Sequence, residues 1–194
     1  GGPGRWLLTL PTTHIAGLQV LIRSLRSGSH PAVVDASAGF TASAFAAAVR
    51  AMDVSASEHP HYTALVPTQL QRLLDDGAGV EALWELDAVL VGGAAASPAL
   101  LARAADAGVT VVRTYGMTET CGGCVYDGVP LSGVDVAIAD DGRIRIAGPA
   151  LFDGYLGAGG PALDDEWFTT SDLGTVENGV LRVDGRIDNV IVSG

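Results

Sequence analysis

Apolar residues recur along this chain in two rhythms, and the change between them organises it. Trp6-Leu-Leu-Thr-Leu10 is a short apolar run stopped by Pro11, which predicts a strand. Helical spacing follows from about His14 to Leu25, ending at Gly28. Ala32–Val34 predicts a strand, Ser43–Met52 an alanine-rich helix and Tyr62–Val66 another strand. Pro67 opens a helix through Leu74, stopped at Gly77. Val89–Val91 is a strand, and Ser97-Pro98 is an N-cap with proline at the first helical position, starting a helix to about Ala107. Val109–Val112 closes the series. Such alternation with short connections predicts a parallel sheet covered by helices.

After about Gly128 the period shortens. Val134–Ala139 and Arg143–Ala147 flank Asp140-Asp-Gly142, and Thr175-Val176 and Val180–Val183 flank Glu177-Asn-Gly179, two hairpin signals. The expected fold class is α/β, a parallel sheet over residues 1–128 followed by a small antiparallel β subdomain over 129–184, with a final segment over 185–194.

Composition narrows the function. Of the 194 residues 48% are hydrophobic, enough for one large domain or two small ones. No run approaches the roughly 18 uninterrupted apolar residues of a spanning helix. The start, Gly1-Gly-Pro-Gly4, lacks a basic region before an apolar core, so a soluble cytoplasmic protein with no membrane span is expected. A net charge of −11 argues against a nucleic-acid surface, which needs a basic patch. All eleven basic residues are arginines. A mechanism that needs a lysine must therefore take it from elsewhere. Cys121 and Cys124 form a lone Cys-x-x-Cys without two further spaced ligands, which favours structural thiols over zinc.

Four short segments could carry chemistry. Tyr115-Gly-Met-Thr-Glu-Thr120 follows the Val109–Val112 run, where an open α/β sheet binds ligands. A ring can stack on a base, a glycine admits phosphate to the backbone, and a glutamate can hold Mg²⁺. Gly92-Gly-Ala-Ala-Ala-Ser97 links a strand to a helix N-terminus, leaving room for a planar group or an anion, or simply making a tight turn. It has neither the G-x-G-x-x-G nor the P-loop spacing. Asp172 is expected in a loop before the second hairpin, where it can accept ribose hydroxyls or satisfy its own turn. Arg186 can reach a phosphate or ribose with its planar fork, or form an exposed ion pair. His14 lies between the proline-broken strand and the helix.

Taken in order, Pro11-Thr-Thr-His14, Gly92-Gly93, Tyr115–Thr120, Ser171-Asp-Leu-Gly174 and Gly185-Arg-x-Asp188 resemble the adenylate-forming enzymes, the superfamily of acyl-CoA ligases, luciferases and peptide-synthetase adenylation domains. The likeness covers nearly the whole chain. Within that superfamily, Leu10–Leu18, Gly92–Ser97 and Thr114–Cys124 look most like the ligases that join o-succinylbenzoate to coenzyme A in menaquinone synthesis.

The resemblance implies an ATP-dependent adenylation of a small-molecule carboxylic acid, then thioester formation with coenzyme A as co-substrate. By the family pattern, Tyr115 stacks on adenine beside Gly92, Gly93, Ala94, Thr114 and Gly116. Thr118 bonds the α-phosphate, Glu119 ligates Mg²⁺, and Asp172 and Arg186 hold the ribose. His14, Gly92, Gly116 and Met117 line the acyl pocket, with His14 also flanking the thiol's approach, and Asp188 marks the hinge to a C-terminal domain. Arg23 lies nine residues after His14, about two and a half turns on, and is expected near the His14 face. There its fork would match a second carboxylate.

Two departures stand out. Ser171 replaces a common glycine, and the family's lysine-bearing segments on both sides are absent. The expectation is therefore an N-terminal-domain core whose partners are the missing segments of the same enzyme, inactive alone. The residues leave a homo-oligomer open. Another acyl- or aryl-CoA ligase, a carrier-protein loading domain, or a non-catalytic nucleotide-binding domain are the alternatives.

Overall fold

The computed structural model describes residues 3–37, 39–52, 59–157 and 163–189. Its chain forms two units, Gly1–Arg113 and Thr114–Gly194.

In the first unit, β1 (Arg5–Leu8), α1 (Ile15–Arg26), β2 (Ala32–Val33), α2 (Ala42–Ala51) and β3 (His61–Leu65) lead to α3 (Pro67–Leu74), α4 (Gly77–Trp84), β4 (Ala88–Val91), α5 (Pro98–Asp106) and the start of β5 (Val111–Met117). The strands run parallel in the order β2-β1-β3-β4-β5. Each alternation of strand and helix read from the sequence is present. Since β2 lies on one side of β1 and β3 on the other, connections leave β1 and β3 in opposite directions, which opens a crevice at their carboxyl ends.

Leu7, Leu65 and Val89 on the strands and Phe45, Leu70, Leu73 and Leu83 on the helices are buried to 1% exposure or less. Each contributes roughly 1.5–3 kcal/mol by leaving water. Two buried hydroxyls fasten the β1–β3 seam: Thr63 Oγ1 donates to the Leu7 carbonyl at 3.0 Å, and Thr9 Oγ1 donates to that of Ala64.

One helix departs from the sequence reading. Gly77 begins α4 instead of simply ending α3. The Asp76 carboxylate accepts the Gly79 N–H at 3.0 Å, capping the new helix, and Trp84 Nε1 donates to the Ala107 carbonyl at 2.7 Å near its other end. These bonds and the buried Ala82 and Leu83 outweigh the low helix propensity of Gly77 and Gly79.

His61 opens β3 at the edge away from that crevice. It is 3% exposed, and its Nε2 has no hydrogen-bond partner. Its backbone N–H donates to Asp87 Oδ2 at 2.7 Å, and Nδ1 lies 3.9 Å from the same oxygen. Burial pushes the imidazole pKa below its ordinary value; Asp87 and Glu85 oppose this, and Arg5 adds to it. The unfolded chain therefore takes up the proton first. Stability should fall as pH drops through the unfolded value of about 6.5 and level off only below the folded one. Urea melts from pH 7.5 to 5.0 should show a steeper loss for the parent protein than for His61→Phe, and parallel slopes would refute this account.

The second unit holds the end of β5, then β6 (Gly122–Tyr126), β7 (Val129–Pro130), β8 (Asp135–Ile138), β9 (Arg143–Ala147), β10 (Trp167–Glu177) and β11 (Val180–Arg186). β5, β6 and β7 pair antiparallel. The remaining strands form a four-stranded antiparallel sheet in the order β11-β10-β9-β8. Both expected hairpins are present. Asn178 and Gly179 take φ of +51° and +78°, the left-handed pair that a two-residue turn between twisted strands demands. Ile144, Ile146, Val125, Cys124 and Leu181 form the core.

Three placements differ from the sequence reading. β5 runs on to Met117, so Tyr115, Gly116 and Met117 lie within a strand and not past its end. Asp172 stands within β10 rather than in a loop. The units divide inside β5, whereas the sequence pattern changes near Gly128, because β6 pairs with the last residues of β5. Of the expected hinge segment, Gly185 and Arg186 end β11 and Ile187–Asn189 form a 3-10 turn. Residues 190–194 lie outside the described residues. Among the described residues no helix is long and apolar enough to cross a membrane.

Candidate nucleotide site

The second unit brings three expected residues together. Tyr115, near the end of β5, donates its hydroxyl to Asp172 Oδ2 at 2.9 Å. Arg186 Nη1 stands 3.8 Å from Asp172 Oδ1, and its Nη2 donates to Asp188 Oδ2 at 2.9 Å. Burial, reinforced by the Asp172 carboxylate, pushes the Tyr115 hydroxyl far above the phenol range. It is therefore a fixed donor at any physiological pH.

Asp172 owes its position to an irregularity in β10. Pairing with β9 is interrupted between Thr169 and Leu173, and pairing with β11 shifts between Leu173 and Gly174. Thr170 Oγ1 stands in for the missing ladder bonds, accepting the Asp172 N–H at 3.0 Å and lying 3.3 Å from the Asp172 carbonyl. Such bulges turn a side chain out of the regular pleat. Asp172 ends with 15% side-chain exposure, with one oxygen held by Tyr115 and the other toward Arg186. A half-buried ring beside a carboxylate with spare lone pairs suits a nucleoside, whose base can stack and whose hydroxyls can donate.

Gly116 is required by the chain itself. A Cβ there would be driven into the Gly122 carbonyl oxygen and would lie 2.7 Å from the Gly123 Cα. The close approach of β5 and β6 thus explains this glycine without a ligand. Beyond Met117 the chain turns through Thr118–Thr120 in a 3-10 turn. Thr120, which the sequence reading did not single out, is buried, and its Oγ1 accepts the Met117 N–H at 2.9 Å and donates to the Gly122 carbonyl at 2.7 Å. It pins the turn that carries exposed Thr118 and half-buried Glu119.

The Glu119 carboxylate accepts the Tyr155 hydroxyl through Oε1 at 2.8 Å. Among the described residues no group of three or more His, Cys, Asp or Glu side chains is placed to hold a metal ion. A single carboxylate still fits Mg²⁺, which is commonly held by one or two carboxylates together with substrate phosphates. Cys124 is fully buried, and burial raises its thiol pKa; Cys121 is exposed.

In the first unit, His14 is the exposed N-cap of α1, its Nδ1 3.3 Å from Thr13 Oγ1. It follows the carboxyl end of β1. Helix α1 begins hard against this loop, since a Cβ on Gly17 would lie 2.7 Å from the Pro11 carbonyl carbon. Gly92, Gly93 and Ala94 follow the carboxyl end of β4; the Gly92 N–H donates to the Leu65 carbonyl at 3.2 Å and Gly93 takes φ of +75°. Ser97 caps α5 by accepting the Leu100 N–H at 3.2 Å. His14 stands before the helix with extended backbone, and the Arg23 guanidinium, on the helix, lies 5.1 Å from the centre of the Trp6 ring.

The AMP-binding enzyme family model matches residues 3–156. The chain is 49% identical over 199 residues to a probable 2-succinylbenzoate–CoA ligase of Mycobacterium tuberculosis, covering 100% of this chain and 51% of that protein. Two solved structures of o-succinylbenzoate coenzyme A synthetase from Bacillus subtilis are similar throughout. The complex with ATP and magnesium ion matches with a TM-score of 0.81 at 26% identity, covering 100% of this chain and 44% of that one. The complex with the acyl-adenylate intermediate matches with a TM-score of 0.83 at 27% identity, covering 100% and 43%. The chain thus spans about half the length of the relatives it matches.

Proposed function

Since this chain belongs to the AMP-binding enzyme family, we propose that it is the nucleotide-binding part of an o-succinylbenzoate–CoA ligase. The observation that carries the reading is the Tyr115–Asp172 hydrogen bond, which sets an aromatic ring and an accepting carboxylate side by side. The identity to 2-succinylbenzoate–CoA ligases over the whole chain supports the choice of acid.

In this reading a carboxylate oxygen of the acid attacks the α-phosphorus of ATP. The bond to pyrophosphate breaks, and an acyl-adenylate results. The thiolate sulfur of coenzyme A then attacks the acyl carbon and AMP leaves. The chain's contribution is placement and charge. The Tyr115 ring supports adenine, Asp172 accepts ribose hydroxyls with Arg186 alongside, and the Thr118 hydroxyl donates to the α-phosphate. Glu119 would hold Mg²⁺, which when bound offsets phosphate charge. The roles of His14, Gly92, Gly93, Ala94, Thr114, Gly116 and Met117 toward acid and nucleotide, and of Asp188 as a hinge, rest on the family pattern. Arg23, its guanidinium over the Trp6 ring, would match the second carboxylate of o-succinylbenzoate with its fork.

Thermal melts with stable acyl-adenylate analogues test the reading. An o-succinylbenzoyl analogue at a hundred times its Kd should add about 2.7 kcal/mol, which at this size is roughly 5–10 °C in Tm. Fatty-acyl analogues and AMP at that same concentration should add less. Equal shifts for all would leave a nucleotide site of another specificity, and no shift with any would refute the nucleotide site.

A further inference from the structure

Resting on the reading of Glu119 as the magnesium-holding carboxylate, we propose that Tyr155 is the residue that positions it. The two are 36 residues apart in sequence, and two bonds join their segments. Tyr155 donates its hydroxyl to Glu119 Oε1 at 2.8 Å, and the Phe152 N–H donates to the Glu119 backbone carbonyl at 2.9 Å. The second bond fixes the Phe152–Tyr155 segment against the 3-10 turn, so the side-chain bond does not hang on a loose arm.

The Tyr155 ring is also held. It meets Phe152 edge-on with centroids 4.8 Å apart, and Phe152 in turn meets Phe168 of β10 edge-on at 5.7 Å. Edge-to-face pairs of this kind restrict a ring beyond what burial alone does. Such restraint matters because Tyr155 is 51% exposed and would otherwise sample several rotamers.

A glutamate side chain has three rotatable bonds, and a metal ligand gains from having them fixed beforehand. The Tyr155 hydroxyl occupies one carboxylate oxygen and orients the group, while Oε2 stays available for an ion. Tyr155 touches neither nucleotide nor metal in this arrangement; it is a positioning residue.

The test is ATP affinity of the 194-residue chain by calorimetry, with Mg²⁺ and with EDTA, for the parent, Tyr155→Phe and Glu119→Gln. Tyr155→Phe keeps the ring and its packing, so its Tm should match the parent. Its Kd for ATP with Mg²⁺ should rise about fivefold, while its Kd in EDTA stays unchanged. Glu119→Gln should lose the affinity gained from Mg²⁺, and adding Tyr155→Phe to it should change nothing further.

Tyr155→Phe with parent affinity in Mg²⁺, or with the same loss in EDTA, overturns the positioning role alone. If Glu119→Gln keeps the full Mg²⁺ gain, the metal assignment falls and the proposal with it. If the parent chain binds no ATP under either condition, both fall.

Discussion

Gly116→Ala should lower stability by about 3 kcal/mol or more, a drop of roughly 10 °C in Tm for a chain of this size. The three atoms nearest the added methyl are all backbone: the Gly122 carbonyl oxygen and carbon and the Gly123 Cα. A flexible side chain could swing aside, but here relief requires β5 and β6 to separate where Gly116 pairs with Gly123 and Met117 with Gly122. The buried Thr120 hydroxyl bridges this same crossing, bonding the Met117 N–H and the Gly122 carbonyl. Opening the strands would break those bonds as well. Gly77→Ala is the control, because a Cβ there meets nothing within 4 Å and the residue is helical. It should be neutral or mildly stabilising. Equal melting temperatures for Gly116→Ala and the parent would show that the strands approach less closely than described.

Asp172→Ala should weaken ATP binding at least tenfold and also destabilise the fold. The affinity loss follows from removing the acceptor for the ribose hydroxyls. The stability loss follows from Tyr115, whose hydroxyl is left without its acceptor at a cost of about 1–3 kcal/mol. Asp172→Asn separates the two effects. Its amide oxygen can accept from Tyr115, so Tm should recover toward the parent value. That oxygen cannot also serve the ribose hydroxyls as a carboxylate does, so ATP affinity should stay low. Calorimetry and thermal melts on both variants decide the matter. Parent-like ATP affinity in Asp172→Asn would remove Asp172 from the nucleotide site.

The sequence conveyed the parallel unit well because its signals are local. Proline after β1, the Ser97-Pro98 cap and the β-branched strands each act within a few residues. It missed α4 because Gly77-Ala-Gly79 looks like a break, and what starts the helix is the Asp76 cap and burial of Leu83. It ended β5 too early because the partner strand β6 begins Gly122-Gly123, weak strand formers tolerated only because the close crossing needs them.

The site divides along the same line. Tyr115, Glu119, Asp172 and Arg186 were recognisable as chemistry in short motifs. That Tyr115 bonds Asp172, 57 positions away, depends on the interruption in β10, which no periodicity announces. Tyr155 sits in a Gly-Tyr-Leu-Gly stretch with no pattern of its own, and only the fold connects it to Glu119.

The strand orders also bear on how the chain acquires its structure in time. In the four-stranded sheet, β8 with β9 and β10 with β11 are neighbours in sequence, so their loops close at small entropic cost. In the parallel sheet every neighbouring pair is separated by a helical crossover, and β1 and β3 are separated in sequence by α1, β2 and α2. Contacts of that span form late, because the intervening chain must be ordered first. As the chain leaves the ribosome, the parallel unit emerges first, yet its sheet has the longer search. The hairpins of the second unit emerge later but have the shorter search, so synthesis order and the folding order expected from contact span run against each other.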